Sequence, residues 1–184
     1  MDYPKISVGH GLEVPVSSGF PFVPDYNQTL ISRKFTFDAG HRVLGHESKC
    51  AHIHGHTYHV ELWVRERTDT LDTLGRVIDF SVLKKEVGGW IDAFWDHNFL
   101  AHPDDPILVS FDNMTLLSHN RGVRAMHILG DKKPYIMKHG NPTAENIARE
   151  LFEVANGILA AFNIEVVRVD VRETDNCSAA YGKM

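Results

Sequence analysis

HGHTYHVELWVR, residues 54–65, alternates with a period of two. Successive side chains on a strand point to opposite faces. His54, His56, Tyr58, Val60, Leu62 and Val64 therefore share one side, and His59, Glu61 and Trp63 share the other. Two imidazoles two residues apart on one face can reach a single ion, and Gly55 between them leaves room for close approach. Upstream, Ile31, Phe35 and Phe37 have the parity of a second strand, which Gly40 is expected to break just before His41. Antiparallel pairing of the two strands brings His41 beside His54 and His56. Three neutral imidazoles with an open fourth position describe a catalytic zinc site, because a closed structural site needs a fourth protein ligand. Iron or nickel would also accept imidazoles.

Working outward, Asp79 or Ser81 can cap a helix running to about Phe94, with Leu83, Val87, Trp90, Ile91 and Phe94 as its buried stripe. Gly88 and Gly89 weaken that helix by about 1 kcal/mol each against alanine. His127-Ile128-Leu129 and Tyr135-Ile136-Met137 flank Gly130-Asp131, a hairpin pattern within a long segment at 101–140. Thr143, directly after Pro142, caps a second helix to about Phe162, with Ile147, Leu151, Val154, Ile158 and Leu159 inward. A strand from Ile164 to Glu173 follows, with Val167, Val169 and Val171 on one face and Arg168, Asp170 and Arg172 on the other. Glu173 continues the apolar parity. A short last strand is expected around Ala179–Tyr181. Residues 1–30, with Pro4, Pro15, Pro21 and Pro24, have the pattern of an irregular arm. The order strand, strand, helix, insertion, helix, strand, strand implies an α+β domain with an antiparallel sheet.

Bulk properties narrow the class. The 184 residues suit one domain, and 43% hydrophobic with 23% charged residues is an ordinary globular balance. A net charge of −5 speaks against a broad nucleic-acid surface. No apolar run approaches the roughly 20 residues that span a bilayer. The first residues lack the basic-then-apolar order of a secretory signal, and two cysteines, Cys50 and Cys177, are too few for a disulfide framework. Together these point to a cytoplasmic protein with no membrane or nucleic-acid partner.

Three further groups carry chemistry. Cys50 lies in a polar loop with His46, Glu47, Ser48 and Lys49, beside the metal cluster. Most free cysteines are small buried hydrophobes, but cationic neighbours and a metal favour the reactive thiolate here. Cys177 keeps the bland reading. Asp96-His97 closes the first helix; a carboxylate that orients a histidine makes a general acid or base, although such pairs also cap helices. Glu173, inward on an apolar face, needs a structural arginine or a ligand rich in N–H donors. The remaining histidines read as surface or packing residues.

These residues, in this order, resemble the 6-pyruvoyltetrahydropterin synthase and 6-carboxytetrahydropterin synthase family. The matching stretches are FDAGHRV at Phe37–Val43, CAHIHGH at Cys50–His56, VIDF at Val77–Phe80, DHNFL at Asp96–Leu100, NPTAEN at Asn141–Asn146 and RETDNCSAAY at Arg172–Tyr181. The resemblance implies Zn2+ on His41, His54 and His56, Cys50 as base, Asp96 and His97 as its proton relay, and Glu173, assisted by Thr174, gripping the pterin ring. It implies the tunnelling fold: a four-stranded antiparallel sheet with two helices on one face, order ββααββ, closing into an oligomeric β-barrel. Trimers usually pair into hexamers, with active sites between subunits. On this basis residues 31–184 form the synthase domain, with an insertion at about 103–139, behind the arm at 1–30.

The implied activity is a zinc-dependent carbon–oxygen and carbon–carbon lyase. It converts 7,8-dihydroneopterin triphosphate to 6-carboxy-5,6,7,8-tetrahydropterin, releasing acetaldehyde and triphosphate, on the route to queuosine. Three residues separate Cys50 from His54, a short spacing that resembles the carboxy branch; the pyruvoyl enzymes typically have a longer gap. Arg42 and Lys49 are the basic residues offered for the triphosphate. Two readings from other classes compete. A cupin-like oxygenase would use Glu61 after His54 and His56, which strand parity disfavours. A non-catalytic zinc-binding assembly protein would have no use for Cys50, Asp96 and His97 together.

Overall fold

The structure is a computed structural model that describes the backbone at residues 5–8 and 12–15, and residues 28–111 and 133–183. Within the stretch expected as an irregular arm, β1 (Lys5–Val8) and β2 (Leu12–Pro15) pair antiparallel, with Lys5 opposite Pro15. Six strands build the main sheet: β3 (Ile31–His41), β4 (His54–Glu66), β5 (Asn98–Ala101), β6 (Tyr135–Ile136), β7 (Ile164–Thr174) and β8 (Cys177–Gly182). Their order is β6-β5-β3-β4-β7-β8.

The expected four antiparallel strands form one end of it, β3-β4-β7-β8. The sheet is nonetheless mixed and six-stranded, which corrects the expectation of four. β5 lies parallel on β3 over Ala39–His41 only, and β6 lies parallel on β5. Tyr135 and Ile136 therefore join the sheet beside Leu100 and Ala101; residues 127–129 of the expected hairpin lie outside the described residues. Gly40 does not break β3. It stays in the ladder opposite Gly55, which extends the strand to His41 opposite His54. A Cβ on Gly55 would stand 3.0 Å from the Ala39 carbonyl oxygen, so the ladder closes tightly only on glycine at this place.

The first helix runs as α1 (Phe80–Leu83), a π-helical turn (Lys84–Gly88) and α2 (Gly89–Phe94). Asp79 caps it, its side chain accepting from the Ser81 N–H. The π turn is wider than an α turn and keeps a spacing of four along the buried stripe: Leu83, Val87, Ile91 and Trp95 are buried. Trp90 is half-buried and Phe94 exposed, because the stripe slips off the expected 3.6-residue phase. Gly88 offsets its helix cost by contact. A Cβ there would meet the Phe35 ring at 3.1 Å, so the glycine lets the helix settle on β3.

The second long helix, α3 (Ala144–Leu159), is capped by Thr143 and buries Ile147, Ala148, Leu151, Ala155 and Leu159. Val154 and Ile158 are half-buried on its flank. Both helices share one core with Phe37, Tyr58, Val60, Leu62, Val64, Val169 and Val171, so they cover the same face of the sheet. Each of the larger side chains gains about 1.5–3 kcal/mol from leaving water. The buried carboxylate of Glu150 is matched, accepting from the Tyr135 hydroxyl (2.7 Å) and the Lys138 N–H (2.9 Å). That pairing ties β6 to α3. Among the described residues, no helix is long and apolar enough to cross a membrane.

Candidate active site

Parity and register place three imidazoles together at the end of the helix-covered face. His41 ends β3 directly opposite His54, and His56 sits opposite Ala39. One nitrogen of each lies within 4.8 Å of the other two. The outer nitrogens show which atoms are free to ligate. His41 Nδ1 lies 2.7 Å from the Pro142 carbonyl, and His54 Nδ1 lies 2.8 Å from the His52 carbonyl. A carbonyl only accepts, so both Nδ1 atoms carry the proton and both Nε2 atoms present a lone pair. His41 Nε2 is buried without a hydrogen-bond partner. Such an atom is costly to desolvate unless something binds it, and a metal ion among the three imidazoles would do so. Burial, chiefly, holds the His41 imidazole down at about 4; proximity to His54 and His56 acts the same way, against the Pro142 carbonyl. His41 is thus neutral near pH 7, as a metal ligand must be. The residues fit a divalent cation with a preference for nitrogen donors.

Glu173, near the end of β7, reaches the same place. Its Oε1 lies 3.6 Å from His41 Nε2 and 3.8 Å from His56 Nε2. Tyr58, fully buried, donates its hydroxyl to that oxygen at 3.2 Å. The same ring stacks on Phe37 at 5.0 Å and stands edge-on to His41 and His56. Burial first, and then the Glu173 carboxylate, push the Tyr58 phenol well above its usual range, so it remains a donor. Sequence reasoning missed Tyr58. The signal was available, since a tyrosine on the histidine face of a strand must find a partner for its hydroxyl. The Pro142 and His52 carbonyls were not legible, because backbone groups leave no mark in side-chain patterns.

Cys50 stands, half-buried, in a 3-10 turn (Lys49–Ala51) of the loop that joins β3 to β4. Its carbonyl accepts from the Val43 N–H at 2.7 Å. The Asp96–His97 pair lies elsewhere. His97 Nδ1 is 2.8 Å from Asp96 Oδ2, and the pair is tied to Asp38 through Asp38 N–H to Asp96 Oδ1 (3.0 Å) and His97 N–H to the Asp38 carbonyl (2.7 Å). That is three residues down the strand from His41, about 10 Å at 3.4 Å per residue. His97 lines an open depression with Asp38, Gly40, Gly55, His56 and Thr57. Its side chain is 75% exposed, and its backbone is left-handed, with φ +54°. A non-glycine residue in that region carries strain of roughly 1 kcal/mol or more, which accumulates at functional places.

Other expectations divide. Thr174 lies exposed at the β7–β8 turn, its hydroxyl accepting from the Asn176 N–H at 3.4 Å. Arg42 makes a two-pronged bond to the buried carboxylate of Asp105. Lys49 is exposed. Glu61 faces away from the imidazoles and bonds Ser32 (2.7 Å) and Lys34 (3.7 Å), so the cupin-like ligand set does not assemble.

Comparison with known proteins follows this geometry. The family described as 6-pyruvoyl tetrahydropterin synthase matches residues 30–183. A 6-carboxy-5,6,7,8-tetrahydropterin synthase of Rickettsia typhi is 38% identical over 148 residues, covering 79% of this chain and 94% of that protein. Among solved structures, an uncharacterized protein of Wolinella succinogenes superposes with a TM-score of 0.63 at 25% identity, covering 85% of this chain and 98% of that one. A 6-pyruvoyl tetrahydropterin synthase of Caenorhabditis elegans shares the fold, with a TM-score of 0.54 at 21% identity, over 85% of this chain and 96% of that one.

Proposed function

The chain belongs to the 6-pyruvoyl tetrahydropterin synthase family, and from that premise we propose that it is a 6-carboxy-5,6,7,8-tetrahydropterin synthase. With uptake of water, it converts 7,8-dihydroneopterin triphosphate to 6-carboxy-5,6,7,8-tetrahydropterin, triphosphate and acetaldehyde, as a carbon–oxygen and carbon–carbon lyase. The observation that carries this reading is the imidazole cluster with both observed Nδ1 atoms tied outward and Glu173 at its rim.

His41, His54 and His56 would hold zinc, which would supply Lewis acidity toward the hydroxyls of the substrate side chain. Glu173 accepts from the N–H groups of the pterin ring, and Tyr58 holds that carboxylate in place from behind. Thr174 assists from the adjoining turn. Cys50 removes a side-chain proton, and His97, oriented by Asp96, passes protons onward. The exposed outlook of His97 supports a relay that serves a site shared with a neighbouring chain. Open sheet edges support the same assembly. β5 covers only Ala39–His41 of the outer edge of β3, and among the described residues β8 has no outer neighbour. Closure of three chains into a barrel, paired into a hexamer, would pair those edges.

The test is to incubate the purified, zinc-loaded protein with 7,8-dihydroneopterin triphosphate and identify products by mass spectrometry. The expected result is 6-carboxytetrahydropterin with an equal amount of acetaldehyde. A pyruvoyl side chain without acetaldehyde assigns the sister activity, and no product refutes the reading.

A further inference from the structure

The turn before α3 touches both halves of the chemistry. Its Pro142 carbonyl fixes the His41 tautomer. One residue earlier, the side chain of Asn141 accepts from the Leu44 N–H at 2.7 Å and donates to the Leu44 carbonyl at 3.0 Å. An amide offers one acceptor and two donors, so it can engage a backbone N–H and C=O together, as a neighbouring strand would. Leu44 adjoins Val43, whose N–H closes the loop by binding the Cys50 carbonyl at 2.7 Å. The path from Asn141 to the thiol is therefore two hydrogen-bonded steps joined by one peptide unit.

The clamp is itself held. Asn146, in the first turn of α3, donates to the carbonyls of Asn141 (2.9 Å) and His139 (3.1 Å). The Thr143 N–H also donates to the Asn141 carbonyl at 2.8 Å, and the Thr143 side chain caps the helix. A 16-residue helix packed on the sheet thus serves as the reference for the loop. The loop's start is also held by Arg42 on Asp105, and between Val43 and His52 its other backbone bonds are short local turns, His46 to Val43, Ala51 to Ser48 and His52 to Lys49.

We propose that Asn141 is a positioning residue for the reaction: by clamping Leu44 it sets where the Cys50 thiol stands relative to the three imidazoles. This rests on the reading of Cys50 as the proton-abstracting group. Because a displacement of about 1 Å can cost about 100-fold in rate, the effect belongs in kcat. It does not belong in metal content, since the ligand strands do not depend on the Asn141 side chain.

The experiment uses the full-length, zinc-loaded protein with Cys177→Ser, so that Cys50 is its only thiol. Asn141→Ala is measured for kcat, KM, zinc per chain and the rate of Cys50 alkylation by iodoacetamide. The expected result is a kcat lower by about 100-fold, with KM and zinc unchanged and the alkylation rate clearly altered. Asn141→Asp keeps the acceptor for the Leu44 N–H and loses the donor, so it should fall between; it also decides the matter if the alanine variant does not fold. Wild-type kcat in either folded variant overturns the proposal. So does a lower kcat with unaltered alkylation, or collapse of both variants, which would assign Asn141 to the fold alone. Full activity in Cys50→Ala would instead refute the role of Cys50, while the alkylation rate would still report whether Asn141 places the thiol.

Discussion

Two clusters of ionisable side chains stand along β3, and they are built differently. The imidazole cluster is assembled within one chain, from His41 on β3 and His54 and His56 on β4, with backbone carbonyls of two loops fixing the rings and His41 buried to 2% exposure. The Asp96–His97 pair is anchored by short bonds to Asp38 and turns a mostly exposed imidazole outward from a left-handed backbone. A set with two of its three rings oriented from behind can bind an ion without help. An exposed, oriented base has its geometry prepared for something that arrives from outside. On the proposed reading, the metal half would be private to each chain and the proton-relay half would be shared with a neighbour.

That division is open to attack at its strongest point first. His54→Ala leaves two imidazoles, a poor zinc site; zinc per chain should fall close to zero by elemental analysis, and turnover with it. Cys50→Ala should keep its zinc and lose roughly 100- to 10,000-fold in turnover, the range of a missing general base. Zinc loss in both variants, or in neither, would break the separation between binding and chemistry.

A smaller effect tests the rim of the metal half. Tyr58→Phe keeps the buried ring and removes one hydrogen bond to a charged acceptor, worth about 1.5 kcal/mol or roughly 10-fold. KM should rise by that order, with zinc retained and kcat little changed, since the phenol orients Glu173 and not the reacting bonds. A fall in kcat at constant KM would place Tyr58 in the chemical step.

Smaller still for activity is a pH effect on the metal-free protein. His41 sits at about 4 in the fold against 6.5 for a free imidazole. Between those values the unfolded chain binds the proton that the folded chain refuses, so stability declines as pH falls from about 6.5 to about 4 and levels off below. Thermal melting with chelator across that range checks it. His41→Gln should remove this part of the slope; an unchanged slope would mean that His41 accepts its proton in the fold.

How much of this the sequence carried depends on which groups leave a pattern. Alternation in residues 54–65 fixed the face shared by His54, His56 and Tyr58, and apolar parity put Glu173 on the same side. The caps at Asp79 and Thr143 were readable because their side chains do the capping. β5 and β6, four and two residues long, were not readable, since strands that short show no period and pair only in parallel with distant partners. The buried stripe of the first helix slipped at Trp90 and Phe94 because a π turn changes the phase without changing composition. The pairing of Arg42 with Asp105 was not readable because the two are 63 positions apart.

The shared relay is tested most directly by mixing two inactive chains. Cys50→Ala retains His97, and His97→Ala retains Cys50. Each should be nearly inactive alone while keeping zinc and oligomeric state. After equal amounts are dissociated and reassembled together, random pairing across interfaces should rebuild about a quarter of the sites, with the thiol from one chain and the imidazole from its neighbour. Recovery near a quarter of wild-type turnover is the result this account expects. No recovery, with mixed oligomers demonstrated by mass spectrometry, would contradict it and place both groups of each site in a single chain.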